Sequence, residues 1–260
     1  MYDFELIKPE TLADAVAAMA DGAQALSGGQ TLLPTMKQRL ADPGVLVSLT
    51  GIADLQGVRM EGGTVVIGAA TSHAAVAREA ASPYPALAAL AGQIGDPAVR
   101  NRGTIGGSVA NNDPSACYPA AALASDAVIV TDRREIAADD YFLGMFETAL
   151  EEGEIVTAVK FRVPQSAAYM KFQQPASRFA LVGAYVAKFA DGVRVAITGA
   201  SNNGVFRWTE AEAALSATFS ADALVGLTLP ADDMIADLHG SADYRAHLCA
   251  VMTMRAVKAV

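Results

Sequence analysis

Two glycine pairs constrain this chain more than any other feature of it. Ser27-Gly28-Gly29-Gln30-Thr31 and Asn101-Arg102-Gly103-Thr104-Ile105-Gly106-Gly107-Ser108 each set a pair beside a hydroxyl residue, and each is followed by a segment able to open a helix. Without a Cβ, glycine takes positive φ and lets another group approach the backbone closely, so such a pair turns its amides toward one point. Each pair alone fits a plain tight turn. Two together, with Thr31, Thr104 and Ser108 as hydroxyl donors, can hold the two ends of one phosphate-bearing ligand.

The rest of the chain supplies strands and helices around these loops. Residues 4–9 read as a short strand ended by proline, 12–19 as a helix, and 25–26 as the lead into the first loop. Residues 32–40 read as a helix with Pro34 in its first turn, where a missing amide costs nothing. An apolar strand at 45–49 precedes a hairpin, 58–60 with 64–68, turned at Glu61-Gly62-Gly63. Helices follow at 71–78, with a Thr/Ser cap, and at 84–94. The stretch 95–102 reads as a connector to the second loop. Asp113-Pro114 offers a cap and a first-position proline for a helix over 115–125. Residues 128–131 form a strand, 139–142 start a short linker, and 154–161 form a closing strand. From Tyr169 the texture changes to an antiparallel hairpin, 179–189 with 192–199, then helical stretches near 209–218, 220–226 and 241–260. The division expected is 1–55, 56–167 and 168–260, with an α+β C-terminal part.

Composition narrows the function. The 260 residues are 52% apolar, enough for a sizeable core, and the formal charge of -9 gives nucleic acid or an anionic membrane no electrostatic support. No stretch reaches the roughly 18 apolar residues of a membrane span, and the acidic N-terminus lacks the basic and apolar regions of a secretory signal, so a cytoplasmic location is expected. Cys117 and Cys249 are too few for an iron–sulfur cluster or a cysteine-rich zinc site, and His73, His239 and His247 are scattered. Any metal redox centre therefore belongs on another chain. No Gly-x-Gly and no Gly-Lys-Ser/Thr occurs, which removes the Rossmann fingerprint and the nucleoside-triphosphate loop.

Ser-Gly-Gly-Gln-Thr-Leu-Leu-Pro at 27–34 and Val-Arg-Asn-Arg-Gly-Thr-Ile-Gly-Gly-Ser-Val-Ala-Asn-Asn-Asp-Pro at 99–114 resemble the two FAD-binding signatures of the medium subunit of molybdenum hydroxylases. That family includes aerobic carbon monoxide dehydrogenase, the flavin domain of xanthine dehydrogenase and bacterial dehydrogenases of N-heterocycles. The likeness continues through Glu154-Ile155-Val156-Thr157 and Gln174-Pro175-Ala176-Ser177-Arg178, and is less distinctive beyond.

The resemblance implies an α+β protein, with two α/β subdomains of a PCMH-type FAD-binding domain and a small C-terminal domain of antiparallel sheet and helices. It implies FAD as cofactor, held at Ser27, Gly28, Gly29, Gln30, Thr31 and Leu32 in the first loop and Thr104, Ile105, Gly106, Gly107 and Ser108 in the second. Ile94 and Val156 match positions that line the flavin, Phe179 an aromatic position beside the isoalloxazine, and Gln174 best matches an edge position that relatives fill with lysine, with Lys171 nearby. Relatives often carry an aspartate where Ala116-Cys117-Tyr118-Pro119 has Cys117, so no carboxylate meets the cofactor there, and on its own Cys117 reads as a small buried apolar residue. The partners implied are a small [2Fe-2S] subunit and a large molybdopterin subunit, in a dimer of heterotrimers. The chain would then take electrons from the iron–sulfur subunit and pass them to an external acceptor. The alternative is a stand-alone FAD-dependent oxidase or reductase; the absence of histidine from both loops argues against covalent flavin attachment.

Overall fold

The computed structural model describes residues 1–19 and 22–260. Its first layer follows from short strands separated by helices. β1 (Glu5–Ile7), α1 (Leu12–Ala18), β2 (Gln24–Leu26), α2 (Leu32–Lys37) and β3 (Val45–Ser48) build a parallel sheet in the order β1-β3-β2. Parallel strands need crossovers: α1, capped by the Thr11 hydroxyl accepting from the Asp14 amide, carries the chain from β1 to β2 at the opposite edge, and the segment containing α2 returns it to β3 between them. Val47, Leu49, Ile52 and Leu55 carry the apolar face of this layer onto Ala70 and Ile155 of the next.

The second sheet is antiparallel. β4 (Val58–Glu61) and β5 (Thr64–Gly68) form the expected hairpin, and then α3 (His73–Glu79), α4 (Pro85–Gly92), α5 (Pro97–Arg102), α6 (Ile105–Asn111) and α7 (Tyr118–Ala124) pass over one side before β6 (Val128–Thr131) and β7 (Glu135–Ala137). A one-turn α8 (Ala138–Tyr141) and the small ribbon β8 (Phe142–Gly144) and β9 (Glu147–Thr148) lead to β10 (Val156–Arg162), which enters the middle of the sheet in the order β4-β5-β10-β6-β7. Val65, Ile67, Ile129, Val159 and Phe161 pack here against Leu87, Leu90, Ile105 and the alanines of α7.

Three expectations change in this part of the chain. The stretch 95–102 is not a bare connector: Asp96 accepts from the Val99 amide and Pro97 opens α5. The linker at 139–142 is a helical turn entering β8. The helix expected over 115–125 begins only at Tyr118. Asp113 caps no helix, its carboxylate accepting from the Ser115 amide in a local turn, while the Pro114 and Ala116 carbonyls accept from the Thr198 hydroxyl and Pro114 also from the Gly199 amide. With these carbonyls turned toward Thr198 and Gly199, the helix starts after them.

The third sheet is an antiparallel meander of β11 (Ser166–Gln173), β12 (Ala180–Phe189), β13 (Gly192–Ser201) and β14 (Gly204–Arg207). β12 is buried along nearly its whole length because it has a core on each face. Tyr185, Ala187 and Phe189 join the core under α4 and α7, whereas Val182, Ala184 and Val186 face α9 (Thr209–Ala217) and α10 (Ala242–Ala259). The helical stretch expected near 220–226 is a single 3-10 turn, Ala221–Leu224. Arg245, 2% exposed on α10, donates to the Leu181 and Gly199 carbonyls and pairs with Asp237, fixing the last helix to the sheet.

Candidate functional site

The first loop leaves β2 at Leu26 and enters α2 at Leu32. Gly29 has φ of 69°, the left-handed region, and Gly28 is where the chain touches the second loop: a Cβ there would overlap the Arg102 carbonyl oxygen and the Gly103 Cα. The Gly28, Gly29, Gln30, Thr31 and Leu32 amides donate to no partner among the described residues, and Thr31 makes no side-chain cap. Five consecutive uncommitted N–H groups on a tight turn are a ready set of donors for an anion.

The second loop works differently from the amide cradle expected of it. Gly106 and Gly107 lie inside the first turn of α6, with Thr104 as the N-cap. The Ile105 amide donates to the Thr71 carbonyl, Gly106 to Ala69, Gly107 to the Thr104 hydroxyl and Ser108 to the Thr104 carbonyl. None of these four amides is spare. Gly106 is required because a Cβ there would stand about 2.5 Å from Ala69 Cβ. The Thr104 hydroxyl also meets the Ser27 hydroxyl at 2.7 Å, so the two loops are stitched together by their side chains.

Beside this seam lies a cleft of about 950 Å³, at the upper end of the range for small-molecule sites. Of the residues singled out in the sequence, Ser27, Gly28, Gly29, Gln30, Thr31, Leu32, Ile94, Thr104, Gly106, Gly107, Ser108, Cys117, Val156 and Phe179 line it. Ile105 does not; it points into the core and is fully buried. Gln174, one residue past β11, is not on the wall either, and Lys171, within that strand, takes that place. Phe179 sits one residue before β12, its ring edge-on to His239 at 5.4 Å.

Sequence reasoning missed several wall residues: His73, Asp113, Glu154 and Arg178. Glu154 carried a signal, because a carboxylate just before an apolar strand needs a partner once buried. Its side chain is fully covered, and hydrogen bonds from Arg134 above all, then from the Glu151 amide and the Thr131 hydroxyl, outweigh burial and hold its pKa down at about 2. It pins 151–155 along the cleft as a fixed anion. His73, beneath Gly103, is lowered to about 4 by burial and then by Arg100, so it is neutral at pH 7. His73 had no signal in the sequence: its burial comes from the second loop crossing over α3.

The wall is a holder rather than a reacting constellation: amides and hydroxyls at the seam, apolar Ile94, Val156 and Phe179 further along. Among the described residues no group of three or more His, Cys, Asp or Glu side chains is placed to hold a metal ion, and no helix is long and apolar enough to cross a membrane.

A parallel βαβ layer joined to an antiparallel sheet, with two glycine loops stitched at one cleft, defines a flavin-nucleotide-binding class of protein. Residues 2–166 match the family described as the FAD-binding domain in molybdopterin dehydrogenase. The carbon monoxide dehydrogenase medium chain of Hydrogenophaga pseudoflava is 36% identical, over 98% of this chain and 96% of its own length. The nicotine 6-hydroxylase medium subunit of Paenarthrobacter nicotinovorans is 32% identical, over 96% and 94%. Among solved structures, a cyanide-inactivated Cu,Mo-CO dehydrogenase superposes with a TM-score of 0.89 at 33% identity, covering 99% of this chain and 98% of that one. Quinoline 2-oxidoreductase of Pseudomonas putida 86 gives the same score at 26% identity, covering 99% and 96%. The chain belongs to this family of FAD-binding subunits of molybdenum-containing oxidoreductases. Its free amides, hydroxyl seam and cleft volume fit a dinucleotide cofactor, a diphosphate at 28–32 and flat apolar rings beyond.

Proposed function

We propose that FAD lies along this cleft and that the chain serves as the electron-transfer subunit of a molybdenum hydroxylase. It receives electrons from a small [2Fe-2S] subunit and delivers them to an external acceptor. Bound there, FAD would supply the ability to take electrons singly and hand them on. The uncommitted amides of residues 28–32 would hold the diphosphate, the Ser27–Thr104 seam would fix the distance between the loops, and Ile94, Val156 and Phe179 would wall the ring system from water. Substrate oxidation would take place on a large molybdopterin subunit, with the assembly a cytoplasmic dimer of heterotrimers. The units 1–55 and 56–167 would flank the cofactor, and 168–260 would cover one side.

The observation that carries this reading is the run of five amides that donate to no partner among the described residues beside the cleft, in a chain whose cysteines cannot build a cluster. The absorption spectrum of the freshly purified, unheated complex tests it. Flavin bands near unit stoichiometry with this chain are expected, together with two co-purifying subunits. A colourless protein, or a flavoprotein that purifies alone, overturns it.

A further inference from the structure

Residues 94–104 run from an apolar wall of the cleft to its hydroxyl seam, and one side chain holds the bend at their start. Ile94 and Gly95 follow α4 in a turn where Gly95 takes φ of 50° and lies against Val99, so close that a Cβ would stand about 2.8 Å from Val99 Cγ1. Neither the Ile94 nor the Gly95 carbonyl accepts from a main-chain amide among the described residues. Both accept instead from Arg100 Nη1, at 3.0 Å and 2.8 Å. Carbonyls left over at a helix end suit a cationic donor, and here the donor comes from the next helix, α5.

The segment needs that hold. α5 has six residues, too few for a helix to persist on its own hydrogen bonds. Its start is fixed by Asp96, which accepts from the Val99 amide at 2.8 Å. Its end is fixed at Gly103, whose amide donates to the Val99 carbonyl and whose carbonyl accepts from the His73 amide on α3. The next residue, Thr104, is half of the seam with Ser27. Arg100 secures the opposite end, at Ile94 and Gly95. Ile94, Gly95, Val99, Gly103 and Thr104 all line the cleft, whereas Arg100 itself is not on the wall.

We propose that Arg100 is a positioning residue that makes 94–104 a rigid spacer between the apolar wall at Ile94 and the Ser27–Thr104 seam. It thereby sets the separation between the ring end and the phosphate end of a dinucleotide in the cleft. That this ligand is FAD rests on the reading above; the spacer itself rests only on the geometry of this chain.

Hydrogen exchange of the purified complex, read by mass spectrometry on peptides covering 91–104, tests the hold. Losing two hydrogen bonds from a charged donor should speed exchange there by about tenfold or more in Arg100→Met. Arg100→Lys keeps a cationic donor without the guanidinium fork and should recover most of the protection. Exchange in Arg100→Met at the parent rate overturns the proposal. If Arg100→Met exchanges fast throughout the chain, Arg100→Lys decides: protection regained at 91–104 supports the spacer, and loss as general as in Arg100→Met overturns it. Flavin release, followed by fluorescence, separates positioning from a general structural role. Release should be faster by about tenfold from Arg100→Met and faster also from Ile94→Ala. Because Arg100 acts through Ile94, the double variant should release no more than about twice as fast as the quicker single variant. Effects that multiply independently overturn the proposal, as does unchanged release from Arg100→Met. A parent protein without flavin would defeat the cofactor reading and leave the exchange comparison to decide the spacer.

Discussion

At the scale of single residues, the site depends on which atoms are free and which are committed. Gly107 marks the seam between the loops: a Cβ there would stand 3.0 Å from Thr104 Oγ1 and 3.7 Å from Ser27 Cβ. Gly107→Asp adds a negative charge on the cleft wall beside the 28–32 loop proposed to hold the diphosphate, and the purified complex is expected to lose its flavin absorbance; retained flavin would refute that placement. Two buried groups give separate pH signatures. Glu154 has a folded pKa of about 2 against an ordinary 4.5, so its stabilising contribution is present above about pH 4.5 and is lost as pH falls toward 2. Because Arg134 is partly exposed, solvent screening reduces this to the order of 2 kcal/mol, and the stability gap between the parent and Glu154→Gln in denaturant titrations should close over that window. His73 is held neutral with a pKa of about 4, while the unfolded chain takes up a proton below about 6.5. Stability is therefore lost between pH 6.5 and 4, by about 3 kcal/mol, and His73→Phe should flatten the curve there while leaving the Glu154 window in place.

At the scale of elements, the chain contains the same signal twice with different outcomes. Asp96-Pro97 and Asp113-Pro114 both present a cap followed by a first-position proline. Asp96 caps α5, but Asp113 turns the chain locally because Thr198 and Gly199 of β13 hold the carbonyls behind it. Asp96→Ala should cost about 1 kcal/mol of stability as a lost cap. In Asp113→Ala the start of α7 should stay at Tyr118, since those carbonyls remain held; a helix extended back to Ser115 in a variant structure would show that the aspartate, and not β13, sets the boundary. The second glycine pair teaches the same lesson. Its composition suggested spare amides, yet the crossing over the β5–α3 connection uses them, and the donors remain only in the first loop.

At the scale of the whole molecule, the third sheet is shared between two cores. Tyr169, Tyr185 and Phe189 fill the space beneath α4 and α7, so the C-terminal part is packing material for the half that carries the glycine loops. A chain ending at Gln165 would expose that face. It is expected to bind a hydrophobic dye and to unfold without a cooperative transition, whereas a sharp thermal transition would show that the first two sheets are self-sufficient. Much was legible without coordinates. The glycine pairs, the β4–β5 and β12–β13 hairpins and the long last helix are local, set by turn residues, caps and period-two alternation acting within a few residues. So was the family, because its signatures are contiguous. The sequence by itself determined the two loops and the kind of ligand they suit. Only the tertiary structure decided that five amides of one loop stay free while four of the other are used, that Lys171 rather than Gln174 reaches the cleft, and that Ile105 turns to the core. Those choices depend on hydrogen-bond partners and packing faces dozens of residues away in the chain, which no local pattern encodes.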